Sequence, residues 1–213
     1  MGTTLLKIGV PVMGIAGSST IGYGVYSHIS NNSNREKTLR DLLTKTNLIS
    51  DSQSKSWEAI FEDLKAEDTE LIHALSSINS SISKSSTNVQ AAPVLNQWCN
   101  TALNKKSGVP DQEKLLSQIK KWCVIQPLTV SEKLKNIGLN MISGSWNDKY
   151  DSLKDSIFSE IKSKVNDFTE KTDKTKGGQA LQKWCEEKVG MGTHEEGASQ
   201  IFKNVKDRCT SAQ

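Results

Sequence analysis

Four cysteines are the residues of this chain best suited to chemistry, and their spacing is regular. Cys99 and Cys123 lie 24 positions apart, and the same separation of 24 positions recurs between Cys185 and Cys209. Thiols in this arrangement can close two local disulfides, remain free as small core residues, or bind zinc. Structural zinc sites use closely spaced pairs such as CxxC, which the sequence lacks, whereas an even cysteine count favours bridges. We therefore predict the disulfides Cys99–Cys123 and Cys185–Cys209, with free core thiols as the main alternative and a zinc site as the weaker one.

No other set of side chains has the spacing of a catalytic or metal site. The three histidines, His28, His73 and His194, have no second His or Cys at a ligand spacing. The sequence contains no GxSxG, HExxH or phosphate-binding loop, and the run GMGTHEEG around His194 follows no predicted strand. We therefore expect a protein that is not an enzyme and that uses no metal or cofactor.

Composition narrows the class of protein further. Of the 213 residues, 35% are hydrophobic and 24% are charged, and the net charge is +3. The lysines are interleaved with acidic residues rather than clustered, which argues against nucleic-acid binding. Only four prolines occur and no alternating strand pattern is present, so we predict an all-α protein.

The amino terminus has the pattern of a membrane anchor. The 22 residues of Ile8–Ile29 include no Lys, Arg, Asp or Glu, and this length suffices for one transmembrane helix. We predict an uncleaved signal anchor over residues 1–29; a signal peptide cleaved after the small residues Gly14 and Ala16 is the alternative. Small residues also recur at every fourth position, which would let two such helices self-associate: Gly14, Ser18 and Gly22.

Two signals disagree about which side of the membrane the rest of the chain occupies. Lys7 precedes the uncharged segment whereas Arg35, Lys37 and Arg40 follow it, and the positive-inside rule then favours a cytoplasmic carboxyl end. Disulfides instead require an oxidising compartment. We predict a single-pass protein of the cell membrane with an extracellular carboxyl-terminal region, and the cytoplasmic orientation stays open as the alternative.

The cysteine pairs belong to a longer internal repeat. An offset of 86 positions (185 − 99) aligns the two Trp-Cys dipeptides that end at Cys99 and Cys185. A three-residue gap upstream brings Trp57 opposite Trp146, and apolar positions agree along the remaining length. Because a repeat array needs three or more units, we interpret the pattern as a tandem duplication.

The duplication divides the chain into a membrane anchor at residues 1–29, a first helical unit at 30–126 and a second helical unit at 127–213. Trp122 of the first unit faces Arg208, which indicates that the second unit has a divergent end. A tryptophan on an amphipathic helix is most often a core anchor, and we assign that role to all five tryptophans: Trp57, Trp98, Trp122, Trp146 and Trp184.

Each unit is predicted to contain three or four helices, which position the cysteines. The first helix begins in a capping box near Ser33 or Thr129. A long helix follows at residues 57–82 in the first unit and 146–168 in the second, because apolar residues recur there at a period near 3.6. The run KTKGG at 174–178 is predicted to be a loop. A third helix carries the Trp-Cys dipeptide, and a fourth ends at the second cysteine.

The combined pattern resembles a paralogous family of uncharacterised membrane-anchored proteins of haemotropic mycoplasmas. The shared features are a short amino-terminal membrane segment, a Trp-led helix and a Trp-Cys dipeptide near the end of each unit. The run KWCVIQPLTVSEKL at 121–134 is similar to the junction between units in those proteins. The resemblance implies a wall-less bacterium that parasitises red blood cells, an anchored protein and exposure to host plasma.

These observations lead to an expectation of a non-enzymatic membrane-anchored surface protein. It would act as an antigen or interaction module, in contact with host proteins or the host cell surface or in immune evasion. A cytoplasm-facing membrane scaffold with free thiols is the second reading. A cryptic enzyme or carrier with a ligand pocket between helices is the third.

Overall fold

The computed structural model describes residues 36–211. The predicted anchor over residues 1–29, its stripe of small residues and the capping box at Ser33 lie outside the described residues. Within 36–211 the chain is all-helical and forms no strand, and short 3₁₀ turns lie at Arg40–Leu43 and Lys162–Lys164. The α-helices are α1 Ser54–Leu64, α2 Thr69–Ser76, α3 Asn88–Leu103, α4 Gln112–Trp122, α5 Val130–Asn136, α6 Trp146–Ile161, α7 Lys174–Val189 and α8 Ala198–Cys209.

Residues 36–126, the first half of the described chain, fold around one apolar core. Helix α1 packs along α3, and α2 and α4 also contact α3. All four helices contribute fully buried side chains to this core: Phe61, Leu71, Leu95 and Ile119. Helix α3 is therefore the central element of the first half.

Residues 127–211, the second half, have a separate core in which α6 packs along α7. Tyr150 of α6 is fully buried at that contact, and its hydroxyl donates to the carbonyl of Lys171 at 2.9 Å. An ideal Cβ on Gly177 of α7 would overlap the Tyr150 ring, and one on Gly178 would overlap Asn147. The two glycines thus allow α6 and α7 to approach closely.

The prediction of one long helix at residues 57–82 is wrong. Helix α1 ends at Leu64, and α2 begins at Thr69 after Asp68, whose carboxylate accepts a hydrogen bond from the amide of Leu71. Helix α2 then ends at Ser76, and turns follow. Ile82 is nevertheless only 4% exposed. Ile82 therefore fits the apolar pattern because it is buried in the core, and not because it lies on a helix.

Two predictions for the second unit also need correction. Helix α6 ends at Ile161, so the helix predicted at 146–168 is too long, and Phe168 enters the core from an irregular segment. The run at 174–178 is not a loop but the first turns of α7, because Asp173 caps the helix by accepting from the amide of Lys176 at 2.9 Å. Its glycines serve helix packing rather than chain reversal.

The capping box at Thr129 is confirmed. Its hydroxyl accepts from the amide of Glu132, and the Glu132 carboxylate accepts from the amide of Thr129, both at 3.1 Å. Together these bonds satisfy free amides at the start of α5. In the first half the element that precedes α1 is only the turn at Arg40–Leu43. No helix within residues 36–211 combines the length and the apolar character needed to cross a membrane.

Candidate functional site

Each half brings its two cysteines together at the ends of neighbouring helices. Cys99 on α3 and Cys123, the residue after α4, are at disulfide distance, with 5.9 Å between their Cα atoms. Cys185 on α7 and Cys209 at the end of α8 are paired in the same way, with a Cα separation of 5.8 Å. The four side chains are at most 1% exposed. The pairs therefore act inside the two cores, each joining two helices of the same half.

The tryptophans lie in or against these cores. Trp57, Trp122 and Trp184 are buried, whereas Trp98 and Trp146 are partly buried and pack against the core of their own half. Beside the first cysteine pair, Trp98 and Trp122 meet edge to face with 4.7 Å between ring centroids.

Arg208 takes the position in the second half that Trp122 has in the first. Its guanidinium lies 5.0 Å from the ring centroid of Trp184 and pairs with Glu160 at 2.6 Å. A cation–π contact thus stands where the first half has an aromatic pair.

Asp68 connects the start of α2 to the end of α4. Its carboxylate accepts from the Leu71 amide at 3.0 Å and from the Trp122 indole N–H at 2.8 Å, and it pairs with Lys121 at 2.8 Å. Burial alone would raise the pKa of Asp68, but these hydrogen bonds outweigh burial and lower the pKa below its ordinary value. The group is therefore an ionised structural acceptor.

We expect Asp68→Ala to lower the free energy of unfolding by about 2 kcal/mol, because it removes a helix cap and leaves a buried indole N–H without an acceptor. Asp173→Ala is the matched control, since Asp173 caps α7 but accepts no indole bond; it should cost about 1 kcal/mol. Denaturant unfolding measures both. Equal losses would mean that the bond to Trp122 contributes nothing.

The two halves meet in a polar contact that we call the seam, formed by Glu62, Lys65, Asn88, Glu196 and Ser199. Glu62 on α1 has a side chain only 3% exposed. The Lys65 ammonium lies between two carboxylates, 2.7 Å from Glu62 and 2.6 Å from Glu196 of the second half. Burial alone would lower the pKa of Lys65, but the two carboxylates outweigh burial and raise it. Lys65 therefore remains charged between them.

The seam carboxylates also cap helices across the contact between the halves. Glu196 accepts from the amide of Asn88, the first residue of α3, at 2.6 Å. Glu62 accepts from the amide of Ser199, the second residue of α8, at 3.3 Å. The first amides of a helix have no partner within the helix and favour negative charge. Each half thus supplies a carboxylate that satisfies a helix start of the other half.

A second set of contacts surrounds the seam. Lys133 on α5 pairs with Asp63, and its ammonium lies 4.6 Å from the ring centroid of Phe202. Lys203 on α8 pairs with Glu67 at 2.6 Å. The cavity beside these residues measures about 20 Å³, which is room for one water molecule. The contact between the halves is therefore closed rather than a cleft for an organic ligand.

The structure describes two of the three histidines, and they lie on different elements. His28 lies outside the described residues, His73 lies on α2, and the His194 carbonyl accepts from the side-chain amide of Asn88 at 3.0 Å. The His194 Nδ1 atom is buried without a hydrogen-bond partner among residues 36–211. The same part of the chain contains no group of three His, Cys, Asp or Glu residues that could hold a metal ion.

Comparison of the chain with protein-family models, with curated proteins and with solved structures finds no match. Inference about function therefore starts from the chain's own residues. Sequence reasoning identified the cysteines and tryptophans but missed the seam. The available signal was weak: Glu62 and Lys65 have the ordinary spacing of a surface ion pair, and Glu196 lies in a run of loop residues.

The seam should weaken in acid. Burial would raise the pKa of Glu196, but hydrogen bonds from Lys65 and the Asn88 amide outweigh burial and lower the pKa below its ordinary 4.5. A lowered folded-state pKa means that the contribution to stability is present above pH 4.5 and is lost as the pH falls through the folded-state value. Because the Glu196 side chain is 55% exposed, we expect this contribution to be at most about 1 kcal/mol.

Unfolding free energies measured from pH 7 down to pH 3 check this expectation. In the Glu196→Gln variant the free energy of unfolding should fall less steeply below pH 4.5 than in the wild type. Glu170→Gln, at an exposed carboxylate outside the seam, is the control variant. A Glu196→Gln profile parallel to that of the wild type would contradict the assignment.

Proposed function

We propose that this chain is a non-enzymatic, membrane-anchored surface protein whose helical region lies outside the cell. The observation that carries the proposal is the pair of buried cysteine bridges, one in each half. Disulfides form and persist in oxidising compartments and are rare in the reducing cytosol. Two cysteine pairs that match in loop length and position therefore favour an oxidising compartment.

Residues 1–29 are the proposed anchor. Their 22-residue uncharged segment is long enough for a single pass, and it would hold the helical region at the membrane. Self-association through Gly14, Ser18 and Gly22 belongs to the same proposal.

We further propose that units 30–126 and 127–213 arose by tandem duplication. Isolated backbone bridges support this: 38 pairs with 106 and 48 with 124, whereas 129 pairs with 192 and 141 with 210. In each bridge we compare the residue that comes later in the chain. Residues 106 and 124 of the first unit correspond to 192 and 210 of the second, and both differences are 86 positions (192 − 106 and 210 − 124), the offset of the cysteines. The three-residue gap of the alignment falls between α1 and α2, where α6 runs on without a break.

The molecular role that fits this architecture is that of an antigen or interaction module. The two halves join through the seam into one body with a largely polar exterior. The resemblance to proteins of haemotropic mycoplasmas adds host contact or immune evasion as the setting. Host proteins or the host cell surface would be the partners.

Peptide mapping without reduction tests the proposal. Cells that produce the protein are alkylated at lysis under denaturing conditions, and its cysteine peptides are analysed by mass spectrometry. We expect peptides crosslinked at Cys99–Cys123 and Cys185–Cys209. A Cys185→Ser variant provides the control, since its Cys209 should become alkylated. Four alkylated cysteines in the wild type would refute the extracellular placement.

The second candidate is a cytoplasm-facing membrane scaffold, favoured by the positions of Arg35, Lys37 and Arg40 after the uncharged segment. Protease added to intact cells separates the two candidates. A surface protein should be cut within residues 36–211 or released, whereas a scaffold should stay intact until the membrane is opened.

A further inference from the structure

Basic side chains that are distant in sequence meet where the described chain begins. Lys37 and Arg40 lie at its start, and Lys105 and Lys106 follow α3; all are exposed. Two backbone hydrogen bonds, of 2.9 Å and 2.7 Å, join residues 37–39 to residues 105–107. We call Lys37, Arg40, Lys105 and Lys106 the basic face.

Of the acidic groups beside the basic face, one forms an ion pair with it within residues 36–211. Glu36 pairs with Lys106 at 2.5 Å. Asp41 accepts two hydrogen bonds from Thr38, at 2.7 Å and 2.9 Å. Asp51 accepts from Asn100, the residue that also receives a bond from Arg40.

Lys37 and Lys105 are exposed on the basic face. Within residues 36–211 neither ammonium forms an ion pair. Leu42, on the turn that begins with Arg40, is 44% exposed. Unpaired cations beside an exposed apolar side chain suit the surface of an anionic lipid membrane.

The chain length places this face near the membrane. Seven residues, 30–36, separate Lys37 from the uncharged segment that ends at Ile29. Fully extended, a segment of that length spans about 25 Å. In an anchored chain the basic face is therefore tethered close enough to reach the lipid surface.

We propose that the basic face rests on anionic lipid headgroups of the anchoring membrane and so orients the helical region. This inference depends on the membrane anchor of the proposed function. Lys37 and Arg40, which follow the anchor, then contact lipid headgroups. On this proposal they do not indicate that the carboxyl-terminal region lies in the cytoplasm. Lys105 and Lys106, which lie far from the anchor in sequence, join them only in the fold.

Lysine footprinting on the full-length chain tests the proposal. The protein is reconstituted into vesicles of phosphatidylcholine alone or with phosphatidylglycerol, flotation measures its binding, and a short acetylation pulse is read by peptide mass spectrometry. We expect Lys37 and Lys105 to react about fivefold more slowly in the anionic vesicles. High salt should remove this protection. Exposed Lys162 and Lys183 of the second half should react equally in both.

Paired variants separate lipid contact from general crowding. Arg40→Ser with Lys106→Ser should abolish the protection of Lys37 and Lys105, whereas Lys162→Ser with Lys183→Ser should not. A chain that floats with both vesicles but shows equal rates at the basic face and at the control lysines overturns this inference alone. A chain that floats with neither vesicle overturns the anchor and this inference with it.

Discussion

Replacing Cys185 and Cys209 by serine is expected to lower the free energy of unfolding by about 3–4 kcal/mol, the chain-entropy value for a loop of this length. The bridge closes a loop of 24 positions between α7 and α8. The core of the second half contains only twelve buried residues. Because this core is the smaller of the two, we expect the variant without this bridge to lose more stability than the matching variant of the first half.

The double variant Cys99→Ser with Cys123→Ser is the matched comparison, because its loop also spans 24 positions. The entropic loss is the same, but the core of the first half contains nineteen buried residues. We expect this variant to keep the first half folded in dilute buffer. Denaturant unfolding followed by circular dichroism and by tryptophan fluorescence measures both. A larger loss in the first half than in the second would contradict the dependence on core size.

Local sequence signals predicted part of this fold correctly. The 24-position spacing predicted which cysteines lie at disulfide distance, because a helix, a short loop and a returning helix bring such positions together. The capping box at Thr129 predicted the start of α5 because both of its hydrogen bonds are local. The all-α class followed from the few prolines and the absence of an alternating strand pattern, and it holds for residues 36–211.

Helix ends were less predictable because a buried residue outside a helix can continue the same apolar pattern that a helix produces. Ile82 and Phe168 are buried and fall on the apolar pattern, yet both lie in irregular segments. Gly177 and Gly178 look like loop residues, but the ring of Tyr150 and the side chain of Asn147 occupy the space that a Cβ would need. That requirement depends on another helix and has no local signature.

The seam was beyond sequence reasoning for a related reason. Glu62 and Lys65 have the same spacing, i and i+3, as Asp151 and Lys154 in the second half. Both look like surface ion pairs. Only the docking of α8 and the residues before it, more than 100 positions later, buries the first pair, whereas the second pair stays partly exposed.

Because of this difference in burial, Lys65→Met should lower the free energy of unfolding by about 3 kcal/mol. Removing Lys65 leaves the buried carboxylate of Glu62 without a compensating charge. Glu62 would retain hydrogen bonds from Asn88 and Ser199 but no cation. Lys154→Met is the control, because Asp151 is 30% exposed and keeps its ion pair with Lys174 at 2.6 Å. That variant should lose less than about 1 kcal/mol.

The double variant Lys65→Met with Glu62→Gln distinguishes lost charge balance from lost packing. It removes both charges, so it should recover much of the stability that Lys65→Met loses. Guanidinium would screen the ion pairs, so urea unfolding at neutral pH is the suitable measurement. Equal losses for Lys65→Met and Lys154→Met would mean that water reaches Glu62 and that the two halves are not closed against each other. A large loss at Lys65 alone, reversed in the double variant, would mean that the seam joins the halves into one cooperative body.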